Sequence, residues 1–106
     1  MKETTVKDLQ KDGLLLKDIE DQTEEMCLAA VEQNGLALEF VKDQSPEICL
    51  AAVEQDGMSL KYVEDQTEEI CLAAIRNNAS ALEYVEEHNK DLYMIMVDMG
   101  EEPQSF

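Results

Sequence analysis

Tryptophan is absent, histidine occurs once, proline twice, and only eight lysines and arginines stand against 25 aspartates and glutamates. The shortage of bases excludes the most. With a formal charge of −17, the chain's own field opposes direct contact with DNA, RNA or an anionic membrane. The longest apolar runs, such as residues 26–31, are about a third of the ~20 residues that cross a bilayer. The opening MKETTVKDLQ has no apolar stretch of the secretory type, so the cytoplasm is the expected compartment. There is no Cys-x-x-Cys pair of the kind that holds zinc and no Gly-rich phosphate loop. Ser45, Ser59, Ser80 and Ser105 lack the strand-turn-helix setting of a nucleophile elbow. No nucleophile or paired acid is nominated to work with the lone His88, and VEQDGMSLKYVE lacks the alternating opening of a calcium loop. Neither an enzyme, a metal site nor a cofactor is expected. What is present, 106 residues of which 44% are apolar and 31% charged, suffices for one small domain with a core and a charged surface.

The chain repeats itself. DQTEEMCLAAVEQNGLALEFVK over residues 21–42 recurs as DQSPEICLAAVEQDGMSLKYVE over 43–64 and as DQTEEICLAAIRNNASALEYVE over 65–86, a gapless period of 22 residues. Weaker copies flank these. Gly13, Leu16 and Ile19 fall in the places of Gly35, Leu38 and Val41, and Asn89, Asp91 and Val97 in those of Thr67, Glu69 and Ile75. We therefore read one helical-repeat domain over 1–106, with clear units 21–42, 43–64 and 65–86, degenerate capping units 1–20 and 87–100, and a loose tail 101–106.

Each unit reads as two short helices. Thr23, Ser45, Thr67 and Asn89 stand at N-cap places, and Pro46 fits the first helical turn. The segment 24–34 has good helix formers and an apolar face of Met26, Ala30 and Val31, widened by Cys27 and Leu28. EEMCLAAVEQ does not alternate, which argues against a strand. Gly35 and Gly57 follow at once, where left-handed residues commonly end a helix, and a second helix of about two turns carries Leu38 and Val41 at three-residue spacing. Neither helix can bury its apolar stripe alone, so successive units must stack. The expected fold is all-α, a short α-solenoid of helix-turn-helix repeats, with Ala29, Ala30, Ala51, Ala52, Ala73 and Ala74 letting neighbouring helices approach closely.

The recurring AAVEQ(N/D)G segment followed by small-x-Leu-x-aromatic-Val resembles the short helical repeats of domain of unknown function 4116. It is carried by residues 29–35 with Leu38, Phe40 and Val41, by 51–57 with Leu60, Tyr62 and Val63, and by 73–78 with Leu82, Tyr84 and Val85. Ala79 departs from the expected glycine and Asp18 from the aromatic. The resemblance implies an all-helical array of the kind found in bacterial, phage and large-virus proteins, with no established activity.

Two side-chain columns follow from the period, and a methionine cluster ends the chain's last helix. Cys27, Cys49 and Cys71 lie on successive helices, which pack about 8–10 Å apart, beyond the ~7 Å that a disulfide spans between Cα atoms; buried free thiols are expected. Phe40, Tyr62 and Tyr84 form an aromatic column that either packs between the second helices with its tips in water or faces a partner. The methionines of the last helix, Met94, Met96 and Met99, either close the core or form an adhesive end through which the chain dimerises.

The acids sort most informatively. Residues 21–42, 43–64, 65–86 and 87–106 each carry five acids and one base, whereas 1–20 carry five acids and four bases. Some columns change sign along the array, as in Glu32, Glu54, Arg76 and in Glu39, Lys61, Glu83. Two columns stay acidic: Asp21, Asp43, Asp65, Glu87 and Glu25, Glu47, Glu69, Asp91. They bracket the N-caps, and with Glu64 and Glu86 they would line one edge. Stabilisation by the helix dipole and copying by duplication explain this edge without a partner. The alternative is an anionic rail, because four net negative charges per ~9–10 Å of stacked helix approach the roughly six phosphates of duplex DNA over that length. Two functions are expected from these readings. In one, the chain occupies the basic site of a protein partner, a nucleic-acid-binding enzyme in particular, and inhibits it; in size and charge alone it is similar to the nucleic-acid mimics that phages deploy against restriction or CRISPR nucleases. In the other, it is a protein-binding scaffold acting through the aromatic column or the Met-rich end, with the acids serving solubility.

Overall fold

The computed structural model describes residues 4–86. Four α-helices, α1 (Val6–Lys11), α2 (Glu24–Gln33), α3 (Pro46–Gln55) and α4 (Glu68–Asn77), alternate with four 3₁₀ helices, Gly13–Asp18, Gly35–Phe40, Gly57–Tyr62 and Ala79–Tyr84. The described residues contain no strand. The α-helices pack in sequence order, α1 on α2, α2 on α3 and α3 on α4, and the 3₁₀ helices do the same in a second layer. The protein is an all-α solenoid in which elements pack within their own unit and against the neighbouring units.

Local chemistry explains each boundary. The side-chain oxygens of Thr23, Ser45 and Thr67 accept from the backbone N–H of Met26, Ile48 and Ile70 at 3.1, 3.3 and 3.2 Å, capping α2, α3 and α4. Pro46 sits in the first turn of α3, where no intrahelical donor is missed. At the other end one extended residue serves two helices. Asn34, at φ −150° and ψ 107°, ends α2 by donating its N–H to Ala30 O, and its side chain accepts from Leu36 N–H at 3.0 Å to open the 3₁₀ helix. Asp56 and Asn78 repeat this arrangement.

The second helix of each unit, of about two turns as expected, is a 3₁₀ helix: Gly35, Leu38 and Val41 recur every third residue, which is the 3₁₀ period, and this places all three on one buried face. One expectation is corrected: the glycines do not terminate the helix in a left-handed conformation. They are required by close approach, since a Cβ on Gly35 would lie 2.5 Å from the carbonyl oxygen of Ala52 in the next unit, and Gly13 and Gly57 face Ala30 O and Ala74 O in the same way.

The core lies between the two layers and is columnar. Leu16, Leu38 and Leu60 are fully buried from the 3₁₀ layer, and Ala30, Ala52 and Ala74 from the α layer, with Val31, Val53 and Ile75 beside them. Ser59 takes an alanine's place in this core and satisfies its hydroxyl on Asp56 O at 2.7 Å. Leu14 is the sole large hydrophobic residue exposed among the described residues, so the apolar area is spent inside the stack. No helix of the described residues is long and apolar enough to cross a membrane.

Candidate functional site

The edge at the N-termini of α2, α3 and α4 is organised by glutamines. Gln22, Gln44 and Gln66 stand second in their units, and each folds its amide onto the end of the same unit. Gln22 Nε2 donates to Phe40 O at 2.7 Å while its Oε1 accepts from Lys42 N–H at 3.0 Å. Gln44 binds Tyr62 O at 2.7 Å and Glu64 N–H at 3.0 Å, and Gln66 binds Tyr84 O at 2.8 Å and Glu86 N–H at 3.0 Å. These clamps satisfy backbone groups at every junction, where an unpaired buried group would cost about 1–3 kcal/mol. They also hold the chain at Lys42 and Glu64, one residue before Asp43 and Asp65.

The acids are therefore displayed from fixed backbone. Asp21, Asp43 and Asp65 are exposed just before the N-caps, Glu25, Glu47 and Glu69 are exposed in the first turns of α2, α3 and α4, and Glu64 and Glu86 are exposed at the unit ends. In the stack Asp43, Glu64 and Asp65 line the clefts between units, whereas Glu69 rims the groove between α3 and α4; Glu87 and Asp91 lie outside the described residues. Between units the edge is indented. A cleft of about 200 Å³ between units 21–42 and 43–64 is lined by Gln22, Glu24, Cys27, Asp43 and Ser45 among others. A smaller one of about 80 Å³ repeats it one unit later with Gln44, Cys49, Glu64, Asp65 and Thr67.

The thiols register the field of this edge. Cys27, Cys49 and Cys71 are free and buried, and each points its Sγ at the Oε1 of the clamp glutamine, at 3.6, 3.3 and 3.6 Å. Burial first, then the charges of Asp43 and Glu24, raises the Cys27 pKa. Burial with Glu64 and Asp65 pushes Cys49 up to about 11, and burial with Glu86 does the same for Cys71. A thiol held protonated is a poor nucleophile, so this column is suited to packing. Among the described residues no group of His, Cys, Asp and Glu is arranged to hold a metal ion.

The aromatic column lies on the other layer. Phe40, Tyr62 and Tyr84 are half-buried against the core, and their carbonyls are the ones the glutamine clamps take. Lys61 Nζ stands 5.2 Å from the Tyr62 ring centroid and 6.0 Å from that of Tyr84. A groove of about 510 Å³ runs between α3 and α4, floored by Leu50, Leu72 and Ala73 and rimmed by Glu69 of the acidic column together with Glu54, Glu68 and Arg76. His88 and Met94, Met96 and Met99, with the dimer expected through them, fall outside the described residues, as do the capping unit 87–100 and the tail 101–106.

The family described as Domain of unknown function (DUF4116) matches residues 23–66 and again 45–90, so its repeats cover more than half of the chain and begin at the N-caps of α2 and α3. The chain belongs to the DUF4116 family. No curated protein and no solved structure matches it. The geometry thus shows what a DUF4116 repeat consists of here: a capped α-helix, one extended asparagine or aspartate, a 3₁₀ helix and a glutamine clamp closing the unit. The clamp went unread in the sequence, although Gln22, Gln44 and Gln66 are the same residue in all three clear units. An uncharged polar side chain held constant between an acidic column and the N-cap column is the signal that marks it.

Proposed function

We propose that this protein is a non-enzymatic binding module whose acidic edge occupies the cationic, nucleic-acid-binding site of a basic protein partner and so inhibits that partner. The observation that carries this reading is the contrast between columns. At the N-termini of α2, α3 and α4 every described position of the two constant columns is acidic and exposed in each of the three clear units, while the columns Glu32, Glu54, Arg76 and Glu39, Lys61, Glu83 change sign. The glutamine clamps support it by fixing the backbone from which these acids project, since charges on a rigid support lose less conformational freedom on binding. The surface composition also supports it, because the described residues expose one large hydrophobic side chain, Leu14, and offer a partner mainly charge. A basic site of the kind that holds a phosphate backbone matches such an edge in sign and binds with strong salt dependence.

The test passes a host lysate over the immobilised protein at low salt, elutes with a salt gradient, and repeats the run with Glu25→Lys, Glu47→Lys and Glu69→Lys combined. The expected result is a discrete nucleic-acid-binding enzyme that is displaced by added DNA or RNA and not retained by the triple variant. Undiminished retention by the triple variant would overturn the proposal.

A further inference from the structure

Lys61 shows what the rings of the 3₁₀ layer attract. Its ammonium is shared between Tyr62 of its own unit and Tyr84 of the next, at 5.2 and 6.0 Å from the ring centroids, within reach of the ring quadrupoles. Twenty-two residues earlier the same three places hold Glu39, Phe40 and Tyr62. The backbone there is the same. The 3₁₀ helices Gly35–Phe40 and Gly57–Tyr62 begin at residues with φ −150° ψ 107° and φ −151° ψ 107°, and both end at valines with φ −76° and ψ 120°. Each of these helices also packs on the next one along the layer. By the repeat the Phe40–Tyr62 gap corresponds to the Tyr62–Tyr84 gap, with an exposed carboxylate, Glu39, where the bridging lysine would start.

We propose that the gap between the Phe40 and Tyr62 rings, with Glu39 at its rim, is a binding site for an arginine side chain of the protein partner. This rests on the reading of the partner as a basic protein and names a contact on a different layer from the acidic edge. Two aromatic faces attract a cation, and the carboxylate supplies the counter-charge that Lys61 makes unnecessary one unit later. Arginine fits better than lysine because its flat guanidinium stacks on a ring while its fork of N–H donors meets the two oxygens of Glu39. Lys61 supplies the cation of the next gap itself, whereas the equivalent place in unit 21–42 holds Glu39.

The test uses the whole protein and two blocked octapeptides of equal charge, (Gly-Arg)4 and (Gly-Lys)4, followed by the aromatic NMR signals and by calorimetry. The arginine peptide is expected to shift the Phe40 and Tyr62 ring signals and to bind more tightly than the lysine peptide. Glu39→Lys copies into this unit the arrangement the next unit already has, so the fold tolerates it; it is expected to weaken the arginine peptide about fivefold. Glu32→Lys, the same charge change on α2, is expected to leave the affinity within about twofold. Lys61→Glu should empty the second gap and bring the Tyr84 signals into the titration. Equal losses from Glu39→Lys and Glu32→Lys, or arginine binding without movement of the Phe40 and Tyr62 signals, would overturn the proposal. The combined Lys substitutions at Glu25, Glu47 and Glu69 read the acidic edge separately: if they abolish partner retention while the ring shifts persist at saturating peptide, edge and gap both stand. If they leave retention unchanged while Glu39→Lys removes it, the edge reading fails and the gap stands.

Discussion

The N–H of Gly35 donates to Oε1 of Gln55 at 2.6 Å, tying the start of one unit's 3₁₀ helix to the last turn of the next unit's α-helix. Gly13 with Gln33 and Gly57 with Asn77 make the same bond at 2.7 and 2.6 Å. Three such bonds run the length of the described solenoid, and each is possible because the glycine lets the neighbouring helix come close.

That closeness makes the glycines sensitive. In Gly35→Ala the new methyl group would meet Ala52 O at 2.5 Å, a backbone atom that can retreat only by moving α3. Urea unfolding is expected to show a loss of about 1–3 kcal/mol, the range for overpacking a close-packed interface. A change below about 0.5 kcal/mol would mean that the units separate more easily than their packing implies.

The glutamine clamp should be worth a comparable amount. Gln44→Ala deletes the bonds to Tyr62 O at 2.7 Å and Glu64 N–H at 3.0 Å and leaves both backbone groups at a part-buried junction without that partner. A loss of about 1–3 kcal/mol is expected. Amide hydrogen exchange at Glu64 should accelerate by more than global destabilisation alone accounts for.

Capping gives a smaller, local effect. Thr67→Ala removes the hydroxyl that accepts from Ile70 N–H at 3.2 Å, and about 0.5–2 kcal/mol should be lost. Because units contact only their neighbours, exchange protection should fall first in α4 and the 3₁₀ helices beside it, and least in α1.

The thiols set an alkaline limit. Unfolded cysteines ionise near their ordinary value of 9.0, whereas Cys49 and Cys71 in the fold hold their protons to about 11. Between these values the unfolded state binds fewer protons than the folded one, so stability is full below pH 9 and declines as pH rises toward 11. Unfolding curves from pH 7 to 11 should show this slope, and Cys49→Ala with Cys71→Ala should flatten it. At pH 8 the native protein should resist iodoacetamide, and the urea-unfolded protein should react at all three thiols.

Much of this architecture is legible in the order of residues, because a gapless 22-residue period forces every unit into one local solution. Thr23, Ser45 and Thr67 mark helix starts through short-range bonds that span three residues, and Pro46 marks a first turn for the same local reason. The three-residue spacing of Leu38 and Val41 already carries the 3₁₀ period. The constant acidic columns are visible because stacking maps sequence period onto a spatial edge.

What the tertiary structure alone decided depends on groups far apart in the chain. Gly35 reads locally as a helix terminator, but its reason is Ala52 O, which reaches it only when α3 docks. Gln22 reads as an ordinary surface residue until Phe40 O and Lys42 N–H, 18 and 20 residues away, return to its amide. Local sequence determined the helices, their caps and the direction of the charge. Docking of one unit on the next determined which polar groups would lose water, and hence which side chains had to replace it.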